Sequence, residues 1–473
     1  MLLVTILLVA SASNICYADS NTVLQKRDVA TPAPQVKVEV ATETATSDAD
    51  YWDNDDFVPF QSNRHDEFDW KLTKALMLSD SSNMILSPFS VKLLLSLLSE
   101  AAGLDTSTHK ELAAVLPSVQ SYMQARELYG KIFGSLLEKS SNYELKIGTK
   151  IYIDESITPR QRYAAILESY YFTKVEKIDF NKATESAKII NDWCADITKN
   201  HIKELVKSDD IEESVIIMLN ALYFNGYWRR PFPANETVQL PFYLTPTTHV
   251  KTSFMTVTDT FYYMESQPLN AKILRLPYKV NYVYERKHDY FTQSNKGMRV
   301  DPNQNKSSKP TRTGRKFSMT IVLPNAKGGL DEMIRELESS TLHRAQWLMS
   351  EVEVRVEIPK FKFDYTSKLN DILKDIGIKS IFTNEASLPA LARGADVAGR
   401  LQVSKVLQKA GIYANEQGST VYVATEVSIV NRFGGDNTRE FIANRPFLFI
   451  IEDETTGTLL FAGKVTEPNH FKL

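Results

Sequence analysis

The ten residues VIIMLNALYF, Val215 to Phe224, constrain this chain more than any other stretch. They are apolar with one interruption, Asn220, so as an extended strand they must be covered on both faces. Such a strand lies inside a sheet and needs a packed layer on either side. The Asn220 amide would then be buried, and a buried amide needs hydrogen-bond partners from neighbouring elements. A chain of 473 residues, 43% of them hydrophobic, is long enough to supply those layers.

The remaining segments say what the layers are. DEFDWKLTKALML places Phe68, Leu72 and Leu76 at helical spacing. SPFSVKLLLSLLSEAAG offers Ser87 as N-cap and Pro88 at the first helical position, then Val91, Leu94, Leu95 and Leu98 along one face. Helices dominate the first third. Further on, EVEVRVEI (Glu351 to Ile358) alternates strictly, ILRLPYK and FSMTIVLP read as strands, and FLFIIEDETTGTLLFAG reads as a hairpin with Gly457 in its turn. The expected class is α+β, with large and mainly antiparallel sheets.

The N-terminus bears on compartment. MLLVTILLVASASNICYADS contains an apolar run too short to span a bilayer and small-residue spacing at Cys16-Tyr17-Ala18. Residues 1–18 are therefore expected to be a secretory signal peptide, and no later segment has the length of a membrane span. Residues 19–65 carry TPAPQ and the acidic run SDADYWDNDDF with no sustained apolar period, which predicts a disordered acidic tail. Lys26-Arg27 reads as a dibasic processing site or a solvated pair. The cluster around Tyr51 reads as a solubilising linker or as a patch for a basic protease surface.

Signal removal would leave Cys194 as the lone cysteine, so packing rather than disulfides must hold the fold. Inside the helical-looking IINDWCADITKNHIKELV, Cys194 is expected to be a buried small hydrophobe rather than a reactive thiol. Export would make Asn235 and Asn305 glycosylation acceptors. Residues 284–316, with nine Lys or Arg against three acids, form a basic insertion that is either a solvated loop or a polyanion-binding exosite. The net charge of -3 gives no signal for nucleic acid.

Catalytic signatures are missing: there is no His-Glu-x-x-His, Cys-x-x-Cys, Gly-x-Ser-x-Gly, phosphate-binding glycine loop or dinucleotide fingerprint. The seven His are dispersed, and no metal or cofactor is expected. The informative chemistry lies in GSTVYVATEVSIVNRFGG, Gly418 to Gly435. Ser419, Val421, Val423, Thr425, Val427 and Ile429 share one face of an extended chain; Thr420, Tyr422, Ala424, Glu426 and Ser428 share the other. No proline interrupts these residues, so the segment can donate ladder hydrogen bonds inside a sheet. Residues 431–437 then read as wet and flexible, with Arg432 suited to the acid-floored specificity pocket of a trypsin-like protease. One segment thus reads both as a buried strand and as an exposed, cleavable bond.

NMILSPFSV, LNALYFNGYW, VEIPKFKFDY, ANEQGSTVYVAT and NRPFLFIIEDETTGTLLFAGKVTEP occur in this order and resemble the signature blocks of the serpin family, across residues 66–468. The resemblance implies a serpin domain over 66–473, with helices packed on three mainly antiparallel sheets and a reactive-centre loop, 418–440, exposed in a metastable fold. A protease that attacks this loop forms an acyl-enzyme. The cut loop then inserts as a central strand and carries the protease with it, trapping it if insertion outruns deacylation. Bait and strand are one segment at two times.

Residue by residue, Gly418 matches the family's hinge glycine, and the scissile residue fourteen positions on is Arg432, which makes the bond Arg432-Phe433. Ser87, Ser90 and Asn220 match the buried polar positions over which the central strands part, and Trp228 matches the tryptophan at the top of the opening sheet. Lys360 and Glu416 match a charge pair anchoring the loop's base. Two departures stand out: Gln408 occupies a position that is histidine in many serpins, and Val421, Tyr422 and Val423 replace a small, alanine-rich hinge, the hinge here being Glu416 and Gly418 through Thr425.

Asn431-Arg432-Phe433-Gly434 also resembles the activation sequence of arthropod prophenoloxidases. The expected function is that of a monomeric suicide-substrate inhibitor, not an enzyme, in a haemolymph-like extracellular fluid. Its expected target is a trypsin-like, clip-domain protease of melanisation and innate immunity. The alternative is a non-inhibitory serpin acting as a carrier, storage or signalling protein.

Overall fold

A five-stranded sheet contains β1 (Tyr143–Asp154), β2 (Val175–Ile178), β3 (Ile216–Gly226), β4 (Phe361–Lys368) and β5 (Val403–Ala414), in the order β4-β5-β3-β1-β2. The computed structural model describes residues 67–116, 122–136, 140–283, 311–313, 315–392, 401–418 and 438–468. Residues 1–66, on which the expected signal peptide and acidic tail fall, residues 284–310 with Asn305, and loop residues 419–437 lie outside the described residues.

The unbroken apolar run is explained by β3. Ile216, Met218, Leu222 and Phe224 point into the main core, while Ile217, Leu219 and Ala221 meet Ala187, Ile190 and Cys194 on the opposite face. Those last three belong to helix α2 (Ala183–Ile197), which covers the sheet's outer side. With each buried aliphatic side chain contributing about 1.5–3 kcal/mol, two-sided burial makes β3 a backbone of the fold. Cys194 is fully buried, and burial pushes its thiol up to about 12, which removes the thiolate needed for reactivity near neutral pH.

Helix α1 (Pro88–Ala101) begins as the sequence predicts: Ser87 caps it, its side chain accepting from the Ser90 N–H, and Pro88 opens it. The expected single apolar face is too narrow a description. Leu93 and Leu97 are buried as completely as Val91, Leu94, Leu95 and Leu98, because α1 packs against both the five-stranded sheet and the strand Thr458–Val465 of a second sheet.

That second sheet has nine strands, including Phe317–Pro324, Ser350–Pro359 and the hairpin Phe447–Asp453/Thr458–Val465, with Gly457 at φ +67° in its turn. A two-stranded ribbon, Asn281–Val283 with Thr311–Thr313, completes the three sheets among the described residues and forms the roots of the basic insertion. At its far end, Arg315 and Lys316 pair with the buried carboxylates of Asp453 and Glu454. No helix among the described residues is long and apolar enough to cross a membrane. The fold is α+β and mainly antiparallel, and one parallel pairing, β5 with β3, organises the candidate site.

Candidate functional site: the seam between β3 and β5

Strands β3 and β5 lie side by side and run the same way, with Gln408 opposite Asn220 and Gly411 opposite Tyr223. Both central residues are tied to the first turn of α1. The Gln408 Oε1 accepts from the Ser87 N–H at 2.6 Å, and its Nε2 donates to the Ser87 carbonyl at 3.1 Å and the Ser90 hydroxyl at 2.8 Å. The Asn220 amide donates to the Ser90 carbonyl at 2.7 Å and accepts from the Thr149 hydroxyl of β1 at 2.9 Å. The partners that this buried amide required are thus one helix turn and one neighbouring strand. Gln408 does what the shape of the site demands with both ends of a primary amide, which a histidine ring could not match bond for bond.

Above this clasp β5 ends and the chain turns back. Asn415 and Gly418 exchange backbone hydrogen bonds, N–H to carbonyl at 2.7 Å one way and 3.2 Å the other. Gly418 also bridges Tyr227, just past the end of β3, and both bridges are antiparallel. Its φ is +130°, and a β-carbon would stand 1.9 Å from the Gly226 carbonyl oxygen, so only glycine fits. The two residues inside the turn are held from outside: the Phe232 N–H donates to the Glu416 carbonyl at 2.7 Å and the Trp228 N–H to the Gln417 carbonyl at 2.9 Å.

Trp228 itself is buried, stacked on Tyr278 with ring centroids 4.6 Å apart, and its indole N–H donates to the Asn415 carbonyl at 2.9 Å. The Glu416 carboxylate accepts from Lys360 Nζ at 3.0 Å and from the Thr237 hydroxyl at 2.8 Å. Burial pushes the Glu416 carboxyl up, but its own backbone N–H, Lys360 and Thr237 outweigh that and hold it below the ordinary glutamate range.

Of the residues picked out by sequence, Ser87, Ser90, Asn220, Trp228, Lys360, Gln408, Glu416 and Gly418 thus line one continuous seam. Asn235 is exposed in the short turn Ala234–Glu236, just before Thr237. Arg432, Phe433, Ser419, Thr420, Val421, Tyr422, Val423, Ala424 and Thr425 lie outside the described residues. Sequence reasoning missed Thr149, Thr237 and Tyr278, which are distant in the chain and carry no motif; nothing short of the strand register reveals them.

The geometry permits one specific rearrangement. A strand continuing from Gly418 down between β5 and β3 would run antiparallel to both, replacing one parallel ladder by two antiparallel ones. Each added ladder hydrogen bond is worth on the order of 1 kcal/mol net, so the described arrangement leaves that stabilisation unrealised.

Comparison with known proteins bears on the family. A family model described as serpin (serine protease inhibitor) matches residues 63–285 and 310–468. Serine protease inhibitor 2 of Anopheles gambiae is 38% identical over 417 residues, which cover 87% of this chain and 93% of that protein. Among solved structures, Serpin48 of the insect Tenebrio molitor, described as a highly specific serpin, is 27% identical with a TM-score of 0.70, covering 85% of this chain and 96% of its own. The native stressed conformation of AtSerpin1 from Arabidopsis is 26% identical with a TM-score of 0.70, covering 85% and 96%.

Proposed function

Since this chain belongs to the serpin family of serine protease inhibitors, we propose that it is a secreted suicide-substrate inhibitor of an arginine-specific, trypsin-like protease. The protease attacks the Arg432-Phe433 bond, Arg432 filling its acid-floored pocket and Gly434-Gly435 letting the loop fit the cleft. The cut loop then enters the β3/β5 seam from Gly418. The observation that carries this reading is the pair of adjacent parallel strands, with Gly418 already bridged antiparallel to the residue that follows each of them.

Recognition of the target rests on Asn431-Arg432-Phe433-Gly434, which resembles the bond that a prophenoloxidase-activating, clip-domain protease cuts. The protein is on this reading a negative regulator of melanisation in an extracellular fluid. The residues Val421, Tyr422 and Val423 favour a second reading, a non-inhibitory serpin whose loop is cut without trapping.

Incubation with trypsin separates the two. A complex that survives denaturing electrophoresis, with a released fragment beginning at Phe433, supports the inhibitor. Clean cleavage with no complex supports the second reading, and a fragment beginning elsewhere refutes the assigned bond. Arg432→Ala should abolish most reaction with trypsin-like enzymes, because the charged specificity contact is gone.

A further inference from the structure

On the outer face of the five-stranded sheet, astride the β3/β5 seam, lies a pocket of about 380 Å³. His201 and Tyr223 line it on the β3 side, and Lys362, Asp364, Gly411 and Tyr413 on the β4/β5 side. His201 and Tyr223 are stacked, ring centroids 3.7 Å apart and 6° from parallel. The opposite wall has a gap, because Gly411 offers no side chain. Nothing in the present packing demands glycine there: a β-carbon would meet Asp364 and Ile202 at an ordinary 3.6 Å, and its φ is not in the left-handed region.

The register supplies an occupant. Gly418 is bridged antiparallel to Asn415 and to Tyr227. In an antiparallel pair, each residue forward on one strand meets one residue back on the other. Four residues beyond Gly418 stands Tyr422; four before Asn415 is Gly411, and four before Tyr227 is Tyr223. Independently, β3 and β5 already pair Gly411 with Tyr223, so the two counts converge on one level of the sheet. Alternation assigns the face: Tyr223 lies on the outer side, as do Leu219 and Leu407 in the cluster under α2, whereas Phe224 and Ile412 look into the main core.

We propose that this pocket is the receptor for Tyr422, whose ring settles over Gly411 and against the Tyr223–His201 stack when the cut loop enters the seam. The idea rests on the insertion reading above and extends it. As β3 and β5 part by one strand spacing, about 4.8 Å, the pocket widens along the direction the incoming side chain needs. An aromatic ring beside a glycine and across from another aromatic is a stabilising cross-strand arrangement. Two residues of the Val-Tyr-Val hinge are on this account matched by the receiving strands: Tyr422 has the gap at Gly411, and Val423 falls beside Ala410, also small, while Val421 falls between Ile412 and Phe224.

A two-by-two cycle of Gly411→Val and Tyr422→Ala tests the proposal, read out as the rise in unfolding temperature on loop cleavage and as the ratio of trapped to merely cut protein. Filling the gap should lower trapping by at least about fivefold when Tyr422 is present, the order expected of overpacking on the insertion step. Adding Tyr422→Ala should restore it to near the wild-type value. Uncut Gly411→Val should unfold at the wild-type temperature, and Gly411→Ala repeats the cycle at smaller amplitude should valine disturb the fold. Equal losses with and without Tyr422 overturn the pocket while leaving insertion standing. Wild type that gains no thermal stability on cleavage overturns insertion itself and the pocket with it.

Discussion

Gln408 is fully buried with both ends of its amide engaged by Ser87 and Ser90. Gln408→Ala would strand the Ser87 N–H away from water, at roughly 1–3 kcal/mol for the unsatisfied group, while the Ser87 carbonyl keeps the Ser90 hydroxyl and the Val91 N–H. The uncut protein should therefore unfold at lower urea, and an unchanged midpoint would show that the clasp does not hold the seam. Glu416 adds a pH dependence. Its carboxyl is held below its ordinary range, so its contribution to stability is complete above about pH 4.3, the unfolded value, and fades as pH falls through the lower folded value. Glu416→Gln should be less stable than wild type at pH 7, with the gap closing as the pH is taken below 4. A gap that stays constant down to that pH would mean that the Lys360–Glu416 pair contributes nothing specific.

At the scale of elements, the parallel pairing of β5 with β3 is what would let the sheet accept the cut loop on the proposed reading, since a strand hairpinned from the end of β5 runs antiparallel to both neighbours. Ser419 is the next residue after Gly418 and would be the first to enter, level with Gly226 and Ala414 on the core face. Ser419→Arg would force a guanidinium into that small-lined, apolar site. Even about 3 kcal/mol on the insertion barrier slows it more than a hundredfold, enough for deacylation to win. The variant should still be cut at Arg432 by trypsin while forming no stable complex; equal trapping by wild type and variant would mean that insertion does not begin at Ser419. The same register brings Thr425 between Gln408 and Asn220, so a hydroxyl arrives where the clasp must reorganise.

For the molecule as a whole, the proposed function depends on two states of one chain, and the proposal assigns selectivity to the bond that starts the change. Arg432 alone would serve any trypsin-like enzyme, whereas Phe433 lies on the leaving-group side, where the mimicry of a prophenoloxidase site is tested. A prophenoloxidase-activating protease should be blocked faster than a digestive trypsin, and Phe433→Ser should erase that preference. Rates of complex formation with the two enzymes decide it: a preference that survives the substitution overturns the mimicry. Shape and charge contacts away from the loop would then be the source of selectivity.

Much of this protein was legible from local pattern alone. The two-sided burial of β3, the capped start of α1, the Gly457 hairpin and the burial of Cys194 follow from apolar period, capping chemistry and turn residues, which act over a few neighbouring positions. The need for partners at Asn220 was also readable; their identity was not. Ser90 and Thr149 are 130 and 71 residues away, and only the packing of α1 and β1 against β3 brings them there. Likewise Val91, Leu94, Leu95 and Leu98 predict one buried face, but whether Leu93 and Leu97 are also covered depends on a second sheet closing over the helix. The parallel seam, the bridges of Gly418 and the gap at Gly411 belong wholly to tertiary structure, because strand order and register are set by long-range pairing that no short window of sequence encodes.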